Sequence, residues 1–264
     1  DPALIGQTIL LTTGELLINK NITISGPSPV LLTVSAIFIP KFLFRDFHIS
    51  PGQIVTISGL TIRDGYGNGT GGGGNLNDHA NLTIINCWIT NNHTDTQGAG
   101  IYNDGTGGSA SLTIDNSMIN NNTAFSSQAI VAGGGIANDA SNGGSANLTT
   151  NATHVDGNIA EFSPQGQGNG GGIYNTGTNA TVMMINSNVN NNRAGGDQAS
   201  TVAVGQGGGI WSTPSVDTAL GMVYVNVSNP SPNYDGSTRK GTNLFTNAIV
   251  ALDMNTGKLK WHFQ

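Results

Sequence analysis

Three aspartates occupy the same place in a recurring motif, and their type and spacing could support chemistry. Asp78, Asp104 and Asp139 end the related segments NLND, IYND and IAND, and Thr176 stands at that place in IYNT. If these segments stack about 4.8 Å apart, as neighbouring strands do, the carboxylates repel one another unless a cation lies between them. The pattern is compatible with a weak calcium site. The alternative is that each aspartate caps a turn and faces water.

Enzymatic chemistry on a polysaccharide would need further groups. A lyase requires an Arg or Lys to take up a proton, and a hydrolase requires a pair of acids at a defined separation. Between residues 75 and 205, Arg193 is the only Lys or Arg. His79, His93 and His154 occupy different places in the motif and lack metal-ligand spacing, so we expect them to be surface residues. A carbohydrate-active enzyme, either a lyase or hydrolase-like, remains the alternative to a non-enzymatic function.

The aspartates belong to an internal repeat that extends over most of the chain. One recurring element starts at residues 73, 99, 134, 171 and 208, so that its copies lie 26, 35, 37 and 37 residues apart. A second element recurs between these copies as LTIINCWITNN (82–92), LTIDNSMINNN (112–122), LTTNATHVDGN (148–158) and VMMINSNVNNN (182–192). The repeat must therefore position any site that the aspartates form.

Each repeat unit predicts three short strands separated by Gly, Asn and Ser clusters that favour turns. Stacked units would bury one apolar face of each strand, which predicts a parallel β-solenoid with inward ladders such as Leu82, Leu112, Leu148 and Val182. The asparagines that end the second element would then lie at one corner of every coil. We expect them to form an internal asparagine ladder, with solvated turn residues as the alternative. They are Asn92, Asn122, Asn158 and Asn192.

The pattern GGGIYN followed by LTI, NS and a final Asn resembles the right-handed parallel β-helix repeats of bacterial surface proteins, of the polymorphic outer membrane protein type. The resemblance extends over residues 1–210 and implies an extracellular or cell-surface location. It also implies a structural or adhesive, adhesin-like function without catalysis. We therefore expect an all-β fold, with a right-handed parallel β-helix over 1–210 and a short propeller-derived β segment over 211–264.

The C-terminal segment ends in ALDMNTGKLKWHFQ, and residues 207–264 resemble the pyrroloquinoline quinone-dependent alcohol dehydrogenases, which are eight-bladed quinoproteins. The resemblance implies that Trp211 matches the floor beneath the quinone ring and that Asn229 matches a ligand of the cofactor's calcium. The family's catalytic Asp and its calcium-binding Glu match no residue of this sequence. We therefore expect no cofactor. A non-functional fragment of a quinoprotein dehydrogenase fusion is the third hypothesis.

Composition limits the partners. Charged residues make up 9% of the chain, the net charge is −6 and the isoelectric point is about 5.1. No basic stripe exists that could bind phosphates, so we expect no nucleic acid partner, and no apolar run is long enough to predict a membrane span. A surface glycan or a protein receptor is the expected partner. The chain is expected to be a monomer whose segment 211–264 packs on or continues the last coil, or to associate head to tail.

Overall fold

A computed structural model describes residues 2–36, 43–162, 168–195, 215–217, 220–227 and 248–263. Apart from one 3-10 turn at Pro2–Leu4, every regular element in these ranges is a β-strand. The prediction of an all-β fold is confirmed. The chain divides into two compact units, residues 1–200 and 201–264. The predicted boundary near residue 210 lies outside the described residues.

The first unit contains four parallel sheets, and the chain passes through them in a fixed order before it returns to the first. We number the sheets I to IV in the order in which the complete coils, from Ile54 onward, visit them. Sheet I has six described strands, sheet II seven, sheet III five and sheet IV six. Each strand pairs in parallel with its counterpart in the next coil, as Leu82 does with Leu112 and Leu112 with Leu148.

Sheets I and II carry most of the second repeated element. The strands of sheet I are Ile22–Ser25, Ile54–Ser58, Asn81–Ile85, Ser109–Asp115, Ser145–Asn151 and Ala180–Ile185. Those of sheet II are Gln7–Leu11, Leu32–Ala36, Thr61–Arg63, Trp88–Thr90, Met118–Asn120, His154–Asp156 and Asn188–Asn190.

Sheets III and IV complete the coil. The strands of sheet III are Tyr66–Gly67, His93–Thr94, Thr123–Ser126, Ile159–Phe162 and Arg193–Ala194. Those of sheet IV are Leu16–Ile18, Phe47–Ile49, Asn75–Asp78, Ile101–Asp104, Ile136–Asp139 and Ile173–Thr176. The prediction of three strands in each coil missed sheet III, because strands of two to four residues are too short to show an alternating pattern.

The core of the first unit consists of columns of identical or similar apolar residues. Leu82, Leu112 and Leu148 are stacked in sheet I and are at most 1% exposed. Ile89 and Ile119 are stacked in sheet II, and Ile101 and Ile136 in sheet IV. All of these side chains belong to one apolar cluster, so sheets I, II and IV enclose a common core. The predicted inward ladder is confirmed for Leu82, Leu112 and Leu148, whereas Val182 pairs with Leu148 but is 36% exposed.

Asparagine has two roles at the corners. The first residue of each NN pair adopts the left-handed conformation, with φ between 52° and 55° at Asn91, Asn121 and Asn191, which asparagine tolerates better than most residues. The second residue points inward. The Asn92 amide donates to Oδ1 of Asn122 at 3.0 Å, and the ladder continues through Asn158 to Asn192. The predicted asparagine ladder is confirmed.

Sheet IV contains a second asparagine ladder that the sequence analysis missed. Nδ2 of Asn77 donates to Oδ1 of Asn103, Asn103 donates to Asn138, and Asn138 donates to Asn175, each at 2.6 Å. Each amide also donates to a backbone carbonyl at the next corner, as Asn77 does to Ala80. The signal was present in the sequence, since each of these asparagines directly precedes a residue of the aspartate column.

The second unit has a sheet of a different kind. Its strands are Ser215–Asp217, Met222–Val227, Ala248–Asp253 and Leu259–Phe263, and neighbouring strands pair antiparallel in chain order. The last two strands are joined by a turn in which Oδ1 of Asp253 accepts hydrogen bonds from Thr256, and Gly257 has a φ of 66°. The indole of Trp261 packs beside the Tyr224 ring, with the ring centroids 5.8 Å apart and the ring planes tilted by 49°.

Candidate functional site

The aspartate column lies at the end of three neighbouring strands of sheet IV. Asp78 pairs with Asp104, Asp104 with Asp139, and Asp139 with Thr176, as the repeat predicted. Because these strands are parallel and in register, residues at the same motif position must be neighbours. The column is therefore a consequence of the repeat, and its chemistry depends on what each carboxylate contacts.

Two of the three carboxylates cap turns. Oδ1 of Asp104 accepts hydrogen bonds from the backbone N–H and the hydroxyl of Thr106, at 3.0 and 2.6 Å. Oδ1 of Asp139 accepts from the Ser141 N–H at 2.8 Å, and its Oδ2 accepts from the Tyr102 hydroxyl at 3.3 Å. Asp139 is only 5% exposed, so the expectation of a cap that faces water is wrong for this residue.

Asp78 has different neighbours, because its two oxygens face two imidazoles. Oδ1 contacts Nδ1 of His79, and Oδ2 lies 3.4 Å from Nε2 of His48. The other ring nitrogen of His79, Nε2, lies 2.8 Å from the carbonyl oxygen of Thr106. The side chain of His79 remains 29% exposed, but both of its ring nitrogens have partners within the fold.

The other two histidines lie elsewhere. His93 is in sheet III, where it is partly buried and pairs with Thr123, so it is not the surface residue that was predicted. Burial lowers the pKa of its imidazole. His154 is exposed on sheet II, as predicted.

A buried cation and a glutamate extend the network around Asp78. Nδ1 of His48 lies 2.9 Å from Oε1 of Glu15, and the guanidinium of Arg45 lies 3.3 Å from Oε2 of the same carboxylate. Arg45 also donates to the hydroxyl of Thr70. Sequence analysis missed these groups, because Glu15, Arg45 and His48 precede the recognisable motif copies. Only the parallel pairing of Leu17 with His48 and of His48 with Leu76 brings them together.

The network favours the charged forms of Glu15, His48 and His79. The hydrogen bond from His48 lowers the pKa of Glu15, against the opposing effect of burial. The Glu15 carboxylate in turn raises the pKa of His48. The pKa of His79 is raised by the carbonyl oxygen of Thr106 and then by Asp78. Together the carboxylates and imidazoles form an acid–base network on the outer side of sheet IV, beside the first aspartate of the column.

Asp78, His79 and Asp104 come closest to one another. Each offers one ligand atom, and these atoms all lie within 4.8 Å of one another. Within the described part of the chain this is the cluster of three that could hold a metal ion, and Asp139 does not belong to it. The predicted set of Asp78, Asp104 and Asp139 is therefore brought into one column, but only its first two members converge, together with an imidazole.

The predicted matches to quinone-binding residues, Trp211 and Asn229, lie outside the described residues. The turn of the predicted blade, which follows Asp253, does lie within the described residues. There the Lys260 ammonium, 3.0 Å from Asp253, and the Thr256 hydroxyl lower the pKa of Asp253 to about 2. The carboxylate therefore accepts the hydrogen bonds of this turn over the whole neutral range.

Residues 175–264 match the family described as glucose/ethanol/alcohol dehydrogenase, β-propeller domain. The chain is 50% identical over 50 residues to the dehydrogenase subunit of alcohol dehydrogenase (quinone) from Gluconobacter oxydans (strain 621H), and 46% identical over 50 residues to the quinohemoprotein alcohol dehydrogenase of Comamonas testosteroni. Each match covers 18% of this chain and 7% of the relative. No solved structure matches the chain.

These matches agree with the predicted resemblance of the C-terminal segment. The family match begins at residue 175, upstream of residue 207, where the predicted resemblance starts. The chain spans less than a tenth of the length of the curated relatives that it matches. The described ranges contain no helix with the length and apolar character needed to cross a membrane.

Proposed function

We propose that residues 1–200 form a right-handed parallel β-helix that serves as a non-enzymatic structural and adhesive element on the outside of a bacterial cell. The observation that carries this proposal is the pair of internal asparagine ladders beside continuous apolar ladders. Such ladders fix the distance and register between coils. A rod of this kind presents columns of identical side chains at a constant spacing on its outer faces.

The outer face of sheet I supports an adhesive function. It carries a column of five threonines in register, Thr23, Thr56, Thr83, Thr113 and Thr149. The neighbouring outward column contains Asn81, Ser111, Asn147 and Thr181. Stacked strands repeat these hydroxyl and amide groups about every 4.8 Å.

The chemistry of this face suggests its partner. The two columns carry no charged side chain, so they offer no cation that could bind a polyanion such as nucleic acid. A shallow groove lined by Asn21, Ile22, Thr23, Ile54 and Thr56 lies at one end of the threonine column. We therefore propose that the face binds a neutral surface polysaccharide, whose hydroxyl groups also recur along a chain.

Co-sedimentation with insoluble neutral polysaccharides tests the adhesive proposal. We expect the chain to sediment with at least one of them, and we expect Thr83→Glu combined with Thr113→Glu to abolish this, because two carboxylates would disrupt the neutral column. His154→Glu, on the exposed face of sheet II, is the matched control and should bind like the parent. If no neutral polysaccharide retains the parent, or if both variants bind equally, the adhesive part of the proposal is wrong.

A carbohydrate-active enzyme remains a second candidate, because the structure adds basic groups that the motif copies lack. His48 lies between two carboxylates, and Arg45 lies beside one of them. A positioned imidazole next to an acid is a possible proton donor and acceptor. Release of unsaturated or reducing ends from pectin or a related polysaccharide, lost in His48→Gln, would favour this candidate over the non-enzymatic one.

For the second unit, we propose that the antiparallel sheet is a propeller-type blade without dehydrogenase activity. The family match over 175–264 and the hydrogen-bonded turn at Asp253 support the blade. Calorimetric titration with pyrroloquinoline quinone and calcium should show no tight complex. A one-to-one complex lost on substitution of Trp211 or Asn229 would contradict this. That segment 211–264 packs on or continues the last coil stays a prediction.

A further inference from the structure

We propose that Asp78, His79 and Asp104 bind a divalent transition metal ion of the zinc class. The proposal is independent of the proposed function, because it concerns the ends of two strands of sheet IV and not the threonine face of sheet I. The three side chains come from the end of one strand, the residue that follows it and the end of the neighbouring strand. Their ligand atoms lie within 4.8 Å of one another, so small side-chain shifts would let one ion contact all three.

The second hydrogen bond of His79 prepares the imidazole for metal binding. Its Nε2 lies 2.8 Å from the carbonyl oxygen of Thr106, which can only accept, so Nε2 carries the hydrogen. In the neutral ring this leaves a lone pair on Nδ1, which faces the carboxylate of Asp78. An imidazole held by a backbone carbonyl through its other nitrogen is the usual arrangement of a metal-bound histidine.

The contact between Nδ1 and the carboxylate needs a positive species. Both atoms would otherwise present lone pairs to each other, so a proton lies in this short contact, and a metal ion would have to displace that proton. Asp104 adds a second carboxylate on the same side. A divalent ion there would balance the charge of the two aspartates while the imidazole remains neutral.

The backbone around His79 also restrains the position of its imidazole. His79 has a φ of 51°, so the chain turns sharply after the strand and directs the ring toward the next coil. There the ring lies against Gly108, where a Cβ atom would overlap Cδ2 of His79. Glycine at this position therefore leaves the space that the ring occupies.

The ligand types distinguish zinc from calcium. Calcium prefers six to eight oxygen ligands, whereas zinc binds imidazole nitrogen together with carboxylate oxygen in sites of about four ligands. The cluster supplies one nitrogen and two carboxylates. The third aspartate of the column, Asp139, has its oxygens bonded to Ser141 and Tyr102. A calcium ion shared along the whole column is therefore less compatible with the structure than a zinc-class ion at one end.

Calorimetric titration of the whole chain with zinc chloride in a buffer that does not bind metals tests the proposal. We expect one ion per chain. We also expect His79→Gln and Asp104→Asn each to weaken binding at least about tenfold, because loss of a residue that only supports a metal ligand already weakens binding by about that factor. Asp139→Asn and His154→Gln are the matched controls and should change the affinity less than about twofold. Circular dichroism should show that each variant retains the parent fold.

A second measurement keeps the proposal falsifiable if one variant does not fold. Cobalt ions in place of zinc should give visible absorption bands that report nitrogen and oxygen ligands, and these bands should change in Gly108→Ala, which moves the imidazole without removing it. The proposal is overturned if the parent binds no zinc or if His79→Gln binds like the parent. It is also overturned if calcium binds with the same stoichiometry and Asp139→Asn abolishes that binding.

Discussion

The two units of the chain differ in how completely their strands cover apolar side chains. In the first unit, Ile84 and Ile114 are fully buried between equivalent residues of neighbouring coils. In the described part of the second unit, Trp261 is 43% exposed and Phe263 is 72% exposed. Ala251 is fully buried there, but every residue of Leu259–Phe263 is exposed.

The difference follows from how the strands are arranged. A strand of sheet I, II or IV has a neighbour on each side in the stacked coils and shares an interior with the other two of these sheets, so one face is completely removed from water. A single antiparallel sheet of four strands has two edges and two faces, and nothing in its own strands covers both faces. We therefore expect the stability of the first unit to be insensitive to the second. Five substitutions test the difference between the two units, from the largest expected effect to the smallest.

The largest effect should come from a charge in the apolar ladder. Ile114→Asp places an unpaired carboxylate between Ile84 and Thr150, and should lower the free energy of unfolding by about 4 kcal/mol or more. Urea denaturation followed by circular dichroism measures this. Thr113→Asp, one residue away but facing outward, should lower it by less than about 1 kcal/mol. If Ile114→Asp and the parent unfolded at the same urea concentration, the assignment of Ile114 to a buried ladder would be wrong.

Loss of one amide from the first asparagine ladder should have the next largest effect. Asn122→Ala removes the acceptor of the Asn92 N–H and amide and the donor to the Ile89 carbonyl, all inside the fold. We expect a loss of about 3 kcal/mol, because buried polar groups are left without partners. Asn121→Gly, the preceding exposed residue with a φ of 54°, is the control and should change stability by less than about 0.5 kcal/mol.

A buried acid makes the first unit sensitive to pH. Asp46 is fully buried, which raises its pKa well above the ordinary 3.8, so the folded chain holds a proton that the unfolded chain releases. Stability should therefore fall as pH rises from about 4 until the pKa of the folded state is passed. Asp46→Asn should raise the melting temperature at pH 8, by an effect of the order of 2 kcal/mol, and change it little at pH 4. An identical pH dependence of parent and variant would contradict this.

One substitution should stabilise the first unit. Thr150 occupies the same ladder as Ile84 and Ile114, is fully buried, and its hydroxyl has no hydrogen-bond partner among the described residues. Thr150→Val keeps the shape and removes the hydroxyl, and should raise the free energy of unfolding by about 1 kcal/mol. Thr149→Val, on the outer face, should change it by less than half as much. A destabilised Thr150→Val would show that the hydroxyl contributes to stability.

The smallest effect should come from the second unit. Phe263→Ser replaces a side chain that is 72% exposed, and should change the melting of the whole chain by less than about 0.5 kcal/mol. Phe47→Ser in the first unit, where the ring is 1% exposed, should lower stability by about 4 kcal/mol. Similar losses in both variants would show that the two units do not differ in the way described.

The repeat allowed much of the first unit to be predicted. Leucine at 82, 112 and 148 indicated an inward ladder, and the NN pairs at 91 and 121 indicated corners, because equivalent positions of a stacked repeat must be neighbours. The short strands of sheet III were missed. So was the ladder of Asn77 and Asn103.

The sequence by itself determined the period of the repeat, the residues that face inward and the aspartate column. Each of these features depends only on the same residue types recurring at the same repeat positions, because parallel stacking makes such positions neighbours. The tertiary structure alone decided which carboxylates converge with histidines. Glu15, Arg45 and His48 lie in coils that lack the clear motif, and they meet Asp78 only because the register of sheet IV continues through those coils. Contacts between unlike residues of successive coils leave no periodic signal in the sequence.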